Sequence, residues 1–217
     1  MILVLIISLS NQWIWRIAQL NFNLFLFLLV ISLVLYKSLE SRKYYLALII
    51  LVGLSLFFQW RFTNFESLNL LSNDEQRVQT LRLKFYNPED HYTRVIFYRL
   101  NLKNFLEGNF TIVTTRILKN FFETIDPNVY FFAGHPRERV GIPEFEKFPY
   151  IFALPFMIGF FNLIGSKKIL FFINFLFCIL LLSIIGHKSS IGAFILFPFF
   201  VVAITCGIKL IFKGVHA

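Results

Sequence analysis

Apolar residues run along this chain in long blocks, and short basic turns separate most of them. Leu20 to Tyr36 forms one block and Tyr44 to Trp60 a second. Pro149 to Gly165, Ile169 to Gly186 and Ile191 to Phe212 follow later. A helix needs about 17–25 apolar residues to cross a hydrocarbon core, so each block predicts a spanning helix. Lys37-Ser-Leu-Glu-Ser-Arg-Lys43 joins the first two as a hairpin. Ser166-Lys-Lys168 and His187-Lys-Ser-Ser190 make the later turns. Pro155 and Pro198 fall inside predicted spans, which bilayer helices tolerate. Met1 to Ser10 is apolar but short, and reads as a marginal sixth crossing helix. Its alternatives are an interfacial helix with Trp13 and Trp15 at the headgroups, or the remnant of a longer protein. It has no basic leader and no small-residue cleavage site, so a signal peptide is not expected.

The long interruption is Arg61 to Phe148, which holds 23 of the 33 charged residues. Within it, His91 to Leu106 and Thr111 to Ile125 place apolar residues three and four apart. Two amphipathic helices are predicted, lying on the membrane surface or over the bundle. The expected fold is an all-α polytopic membrane protein with five to six transmembrane helices. Residues 1–60 would be N-terminal membrane helices, 61–148 a mostly helical extracytoplasmic module, and 149–217 a three-helix membrane segment.

Composition agrees with this class. The chain is 57% hydrophobic and only 15% charged, whereas a soluble domain carries about a quarter charged residues. The net charge of +9 raises the question of nucleic acid. Its distribution argues against that partner. Residues 61–148 carry 12 Lys/Arg against 11 Asp/Glu, and the excess lies on short connectors and ends. That is the positive-inside pattern, not a phosphate-binding face. It places 37–43, 166–168 and the C-terminus in the cytoplasm, the membrane as the cytoplasmic (inner) one, and 61–148 outside.

Candidate chemistry is sparse. Asp74-Glu75 could supply a general base or metal ligand for a sugar transferase, or simply open a helix capped by Ser72-Asn73. Gly134-His-Pro-Arg-Glu-Arg139 is denser. Arg137 and Arg139 can grip a lipid phosphate bidentately, and His135 could transfer a proton. The alternative is a structured turn in which the arginines pair with Glu138, Glu144 or Glu146. Cys178 and Cys206 sit in apolar runs and read as small buried hydrophobes. No histidine pair has metal-ligand spacing, and no nucleotide-binding fingerprint is present, so neither metal nor cofactor is expected.

One stretch resembles a known pattern. Asn120-Phe-Phe-Glu-Thr-Ile-Asp126-Pro-Asn-Val-Tyr-Phe-Phe-Ala-Gly134 is followed by Arg139, Ile142-Pro143 and Leu154-Pro155-Phe156. This order is similar to an extracytoplasmic loop and following helix of bacterial GT-C-type glycosyltransferases, the mannosyltransferase-like membrane enzymes that use polyprenyl-phosphate sugars. Ala193-Phe-Ile-Leu-Phe-Pro198 with Gly207 resembles their last helices. The likeness covers about Asn73 to Phe212 and points to the C-terminal part of that family. Such enzymes keep their catalytic acids on a first external loop, and Asp74-Glu75 follows a later helix. The resemblance therefore implies an accessory unit in envelope glycan or lipid-linked sugar handling, with a membrane protein partner supplying the catalytic core. A small autonomous transferase and a purely structural membrane protein are the alternatives.

The orientation has a direct test. With Cys178 and Cys206 replaced by alanine, a single cysteine at Asn101 should react with an impermeant reagent in intact cells. One at Ser166 should stay protected, and the opposite pattern would invert the topology.

Overall fold

The computed structural model describes residues 1–63, 73, 77, 109–132, 145–165, 168–186 and 191–215. Among these residues every regular element is helical. The helices are α1 (Ile2–Leu9), α2 (Gln12–Leu20), α3 (Phe22–Glu40), α4 (Tyr45–Phe62), α5 (Asn109–Ile125), α6 (Asn128–Phe131), α7 (Ala153–Gly165), α8 (Ile169–Ile185) and α9 (Phe197–Val215). Short 3-10 turns precede α4, α7 and α9.

Three helices among the described residues are long and apolar enough to cross a membrane: α3, α4 with its leading turn, and α9 with its leading turn. The pair formed by α7, with its leading turn, and α8 diverges by 120°, and adds a fourth span if the two are taken as one broken crossing. The five to six spans expected from the apolar blocks treat α7 and α8 as separate crossings. With 13 and 17 residues, they reach only about 20 and 26 Å at 1.5 Å per residue, short of a core about 30 Å thick.

The N-terminus departs from expectation. It is two short helices, and α1 has 8 residues, about 12 Å of rise. The break is built by one side chain. Asn11 accepts from Ile14 N at 3.0 Å as the cap of α2, and its amide donates to Ile7 O at 3.0 Å and Ser8 O at 2.8 Å. Trp15 Nε1 donates to Leu9 O at 2.9 Å. The last carbonyls of α1, orphaned by any helix end, are thus taken by the residues that start α2. Asn21 repeats the device at the start of α3.

α9 is the axis of the molecule, with 72% of its span buried against 22% for α4. α7 lies against it with the closest approach in the structure. A Cβ added at Gly159 would fall on the Ala203 carbonyl oxygen and 2.6 Å from Gly207 N. One added at Gly207 would fall on the Pro155 carbonyl oxygen. The two backbones touch because neither helix has a side chain between them, the device by which small residues bring helices together in a bilayer. α3 runs parallel to α9: its start lies by Trp15 and its end by Lys209, which hydrogen-bonds the Tyr36 hydroxyl. The turn before α8 joins that same end, where Lys168 Nζ donates to Leu39 O at 2.8 Å. The three basic connectors thus share one end of the bundle, as the charge pattern predicts.

Replacing Gly159 or Gly207 with alanine should lower unfolding stability in micelles by more than about 3 kcal/mol, beyond the usual cost of overpacking. Gly53→Ala is the control, since a Cβ there meets nothing within 4 Å. It should be neutral or stabilising by up to about 1 kcal/mol.

Candidate functional site

The opposite end of the bundle holds a node of aromatic rings around Trp13. Its indole lies 5.8 Å from Tyr130, 5.8 Å from Phe148 and 5.7 Å from Phe197, centroid to centroid. Phe200 extends the cluster, at 4.3 Å from Tyr130, 5.8 Å from Phe148 and 4.6 Å from Phe156. Trp13 is fully buried, which argues against the alternative of an interfacial helix with this residue at the headgroups. Trp15 is half exposed. Burial of Trp13 demands a partner for its N–H, and Nε1 donates to Ile191 O at 2.6 Å. Trp13 N also donates to Lys147 O at 3.3 Å. Residue 13 therefore ties α2 to the approach to α7 and to the approach to α9.

Lys147 is buried beside these rings. Its ammonium donates to Val129 O at 2.7 Å. It stands 5.4 Å from the Phe145 ring centroid, 5.5 Å from Tyr130 and 5.8 Å from Trp13. Aromatic faces attract a cation within about 6 Å, so the rings offset part of its lost hydration. Room for the side chain comes from Gly192, whose φ is +67° and where a Cβ would lie 3.2 Å from Lys147 Cε. Arg16 stacks on the other side of the loop, 3.8 Å from the Phe145 centroid.

Gln59 closes the node from α4. It is buried, and its amide donates to Gly192 O at 3.1 Å and to Thr63 Oγ1 at 3.3 Å. Its oxygen accepts from Ile195 N at 3.3 Å. From the other side, Phe148 N donates to Tyr130 O at 2.9 Å, and Tyr130 Oη donates to Thr124 O at 2.8 Å. The described residues on both sides of 133–144 are thus held together at the node.

Asp74, Glu75, His135, Arg137 and Arg139 lie outside the described residues, as does the helix expected over 91–106. The helix expected over 111–125 is α5, and Phe121 packs against the core while Leu118, Phe122 and Ile125 are exposed. Asn120 Nδ2 donates from it to Ser183 O of α8 at 3.2 Å. Cys178 is buried and Cys206 half-buried. Among the described residues no three His, Cys, Asp or Glu side chains converge as metal ligands would. Sequence reasoning passed over Trp13 and Lys147 as site residues. The available signal was an aromatic-rich segment, Phe145 to Phe148, carrying a lysine at the foot of an apolar block.

The chain matches no protein-family model, no curated protein and no solved structure.

Trp13→Ala should cost about 3–5 kcal/mol of stability, the range for removing a large buried aromatic. Trp13→Phe keeps a ring but removes the donor to Ile191, and should cost about 1–3 kcal/mol. Denaturant unfolding in micelles measures both, and a Trp13→Phe variant as stable as the wild type would mean the indole hydrogen bond contributes nothing.

Proposed function

We propose that this chain is an accessory membrane unit in cell-envelope glycan or lipid-linked sugar handling. On this reading it is related to the C-terminal part of a GT-C-type glycosyltransferase and works beside a membrane protein that supplies the catalytic core. It sits in the cytoplasmic membrane with 61–148 outside and its C-terminus in the cytoplasm, and α7 and α8 each cross, the bilayer thinning to meet their shorter length. The supporting observation is that residues carrying the resemblance are packing residues. Asn120 fastens α5 to α8, and Tyr130 and Phe131 are buried against Phe200 and Phe156. They form a seat that holds the segment between the two membrane halves onto the bundle, a framework role.

The ligand class follows from the residues that this seat flanks. Arg137 and Arg139 lie between Phe132 and Phe145 in sequence, and the node fixes both flanks. Paired arginines suit a phosphate monoester or diester, which supports a polyprenyl-phosphate lipid. Asp74, Glu75 and His135 are the acid–base candidates if the chain performs chemistry itself.

Purified protein in vesicles containing polyprenyl phosphate and a polyprenyl-phosphate sugar separates the readings. The expected result is lipid-phosphate binding without sugar transfer or hydrolysis. Lysine keeps charge but loses the planar fork, so Arg139→Lys should weaken binding almost as much as Arg139→Ala. Sugar transfer by the chain alone would replace the accessory role with that of an autonomous transferase. No binding by the wild type would leave a structural membrane protein.

A further inference from the structure

The bundle's other end carries a different collection of charges. Lys37, Arg42 and Lys43 come from the α3–α4 connection, Lys168 from the α7–α8 turn, and Lys209 and Lys213 from the end of α9. Six cations from three separate connectors meet a single described acid, Glu40. That acid is already engaged by Lys37 at 3.0 Å. Two of the cations are structural, since Lys168 is bonded to Leu39 O and Lys209 to Tyr36. They clamp the connectors together. Arg42, Lys43 and Lys213 are exposed and make no ion pair among the described residues.

The surroundings identify the partner. Tyr44, Ile211 and Phe212 are exposed beside these cations. A soluble polyanion such as a nucleic acid offers nothing to cover those side chains. An amphiphile offers both parts, an anionic head for the cations and acyl chains for the apolar flank. Tyrosine at the border of an apolar span is also an interfacial anchor. We propose that this end is a docking surface for anionic phospholipid headgroups of the adjoining leaflet, with Arg42, Lys43 and Lys213 as the contacting charges and Lys168 and Lys209 as the clamps that gather them. The proposal is independent of the polyprenyl-phosphate reading, which concerns the opposite end of α9, about 28 Å away along a helix of 19 residues.

The test titrates the full chain, purified in a nonionic detergent, with phosphatidylglycerol and with phosphatidylcholine. Phosphatidylglycerol should bind roughly a hundred-fold more tightly, since each of the three basic residues near the lipid contributes roughly a five-fold effect. Arg42→Gln, Lys43→Gln and Lys213→Gln should each lower that preference roughly five-fold, and the triple variant should abolish it. The preference of the wild type should collapse in about 0.5 M NaCl, where the Debye length shrinks to a few ångströms. Arg16→Gln removes one charge at the far end and should change nothing. The three substituted side chains are exposed, and thermal unfolding in phosphatidylcholine checks that the variants are folded. Equal affinity for both lipids, a salt-insensitive preference, or an unaffected triple variant would overturn the proposal. So would competition by inorganic phosphate at low millimolar concentration, which would indicate a site for the free anion.

Discussion

Backbone contact between α7 and α9 is the constraint on which the other packing depends. Gly159 and Gly207 leave no space between the two helices. This fixes the face of α9 that α7 covers, and so the faces left for α1 and α3. It also sets where Phe156 meets Phe200, 4.6 Å apart and nearly coplanar. That stack lies one turn from the seam and supports Tyr130, Phe131 and Phe148. The aromatic node is therefore built outward from a glycine contact. Its rings fill the region where the two helices diverge and side chains again have room.

In lipid, apolarity does not decide which helix goes inside, because acyl chains are as apolar as leucine. The central helix α9 and the peripheral helix α4 are both apolar, yet 72% of one span is buried and 22% of the other. What differs is the backbone seam with α7, which α9 makes through Gly207 and α4 does not make at Gly53. α9 presents Ala203, Thr205 and Gly207, whereas α4 presents Leu46, Ile49, Ile50, Leu54 and Phe57 outward. The small polar residues carry no penalty, since they bond inside their own helices. Thr205 Oγ1 donates to Val201 O, Ser32 to Leu28, Ser55 to Leu51 and Ser183 to Ile179, each near 2.8 Å. Polar bonds that cross between elements lie toward the ends of the bundle, from Trp13, Gln59 and Lys147 at one and from Lys168 and Lys209 at the other.

This division explains what the sequence made legible. The apolar blocks predicted α3, α4 and α9, and three-and-four spacing predicted α5, because both signals are local. The co-location of the basic connectors was legible too, since hairpins alternate sides. The break at Asn11 was written in the sequence as a cap residue after an apolar run, but the run's hydropathy favoured a single crossing. The environment of Trp13 was left open for a physical reason. Tryptophan suits both an interface and a buried site with a carbonyl partner, and only the fold brings Ile191 to residue 13. Nor does spacing reveal the Gly159–Gly207 contact, whose partners are 48 positions apart. Of the candidate site residues, Asp74, Glu75, His135, Arg137 and Arg139 were chosen for their chemistry, and they lie outside the described residues.

The two ends of the bundle use the same residue type in opposite ways. At one end Lys147 is buried, its ammonium given to a backbone carbonyl and bounded by three rings. Such a cation is enclosed by the protein. At the other end Lys43 and Lys213 stand in solvent, and the described acid beside them, Glu40, is already paired with Lys37. A formal charge of +9 therefore misstates what a partner meets. One end presents aromatic surface with its lysine internalised, and the other presents unneutralised cations against exposed apolar side chains. Turning such a bundle over in a bilayer with unequal leaflets would carry the exposed cations across the hydrocarbon core, a transfer that costs several kcal/mol per charge before any lipid headgroup is met.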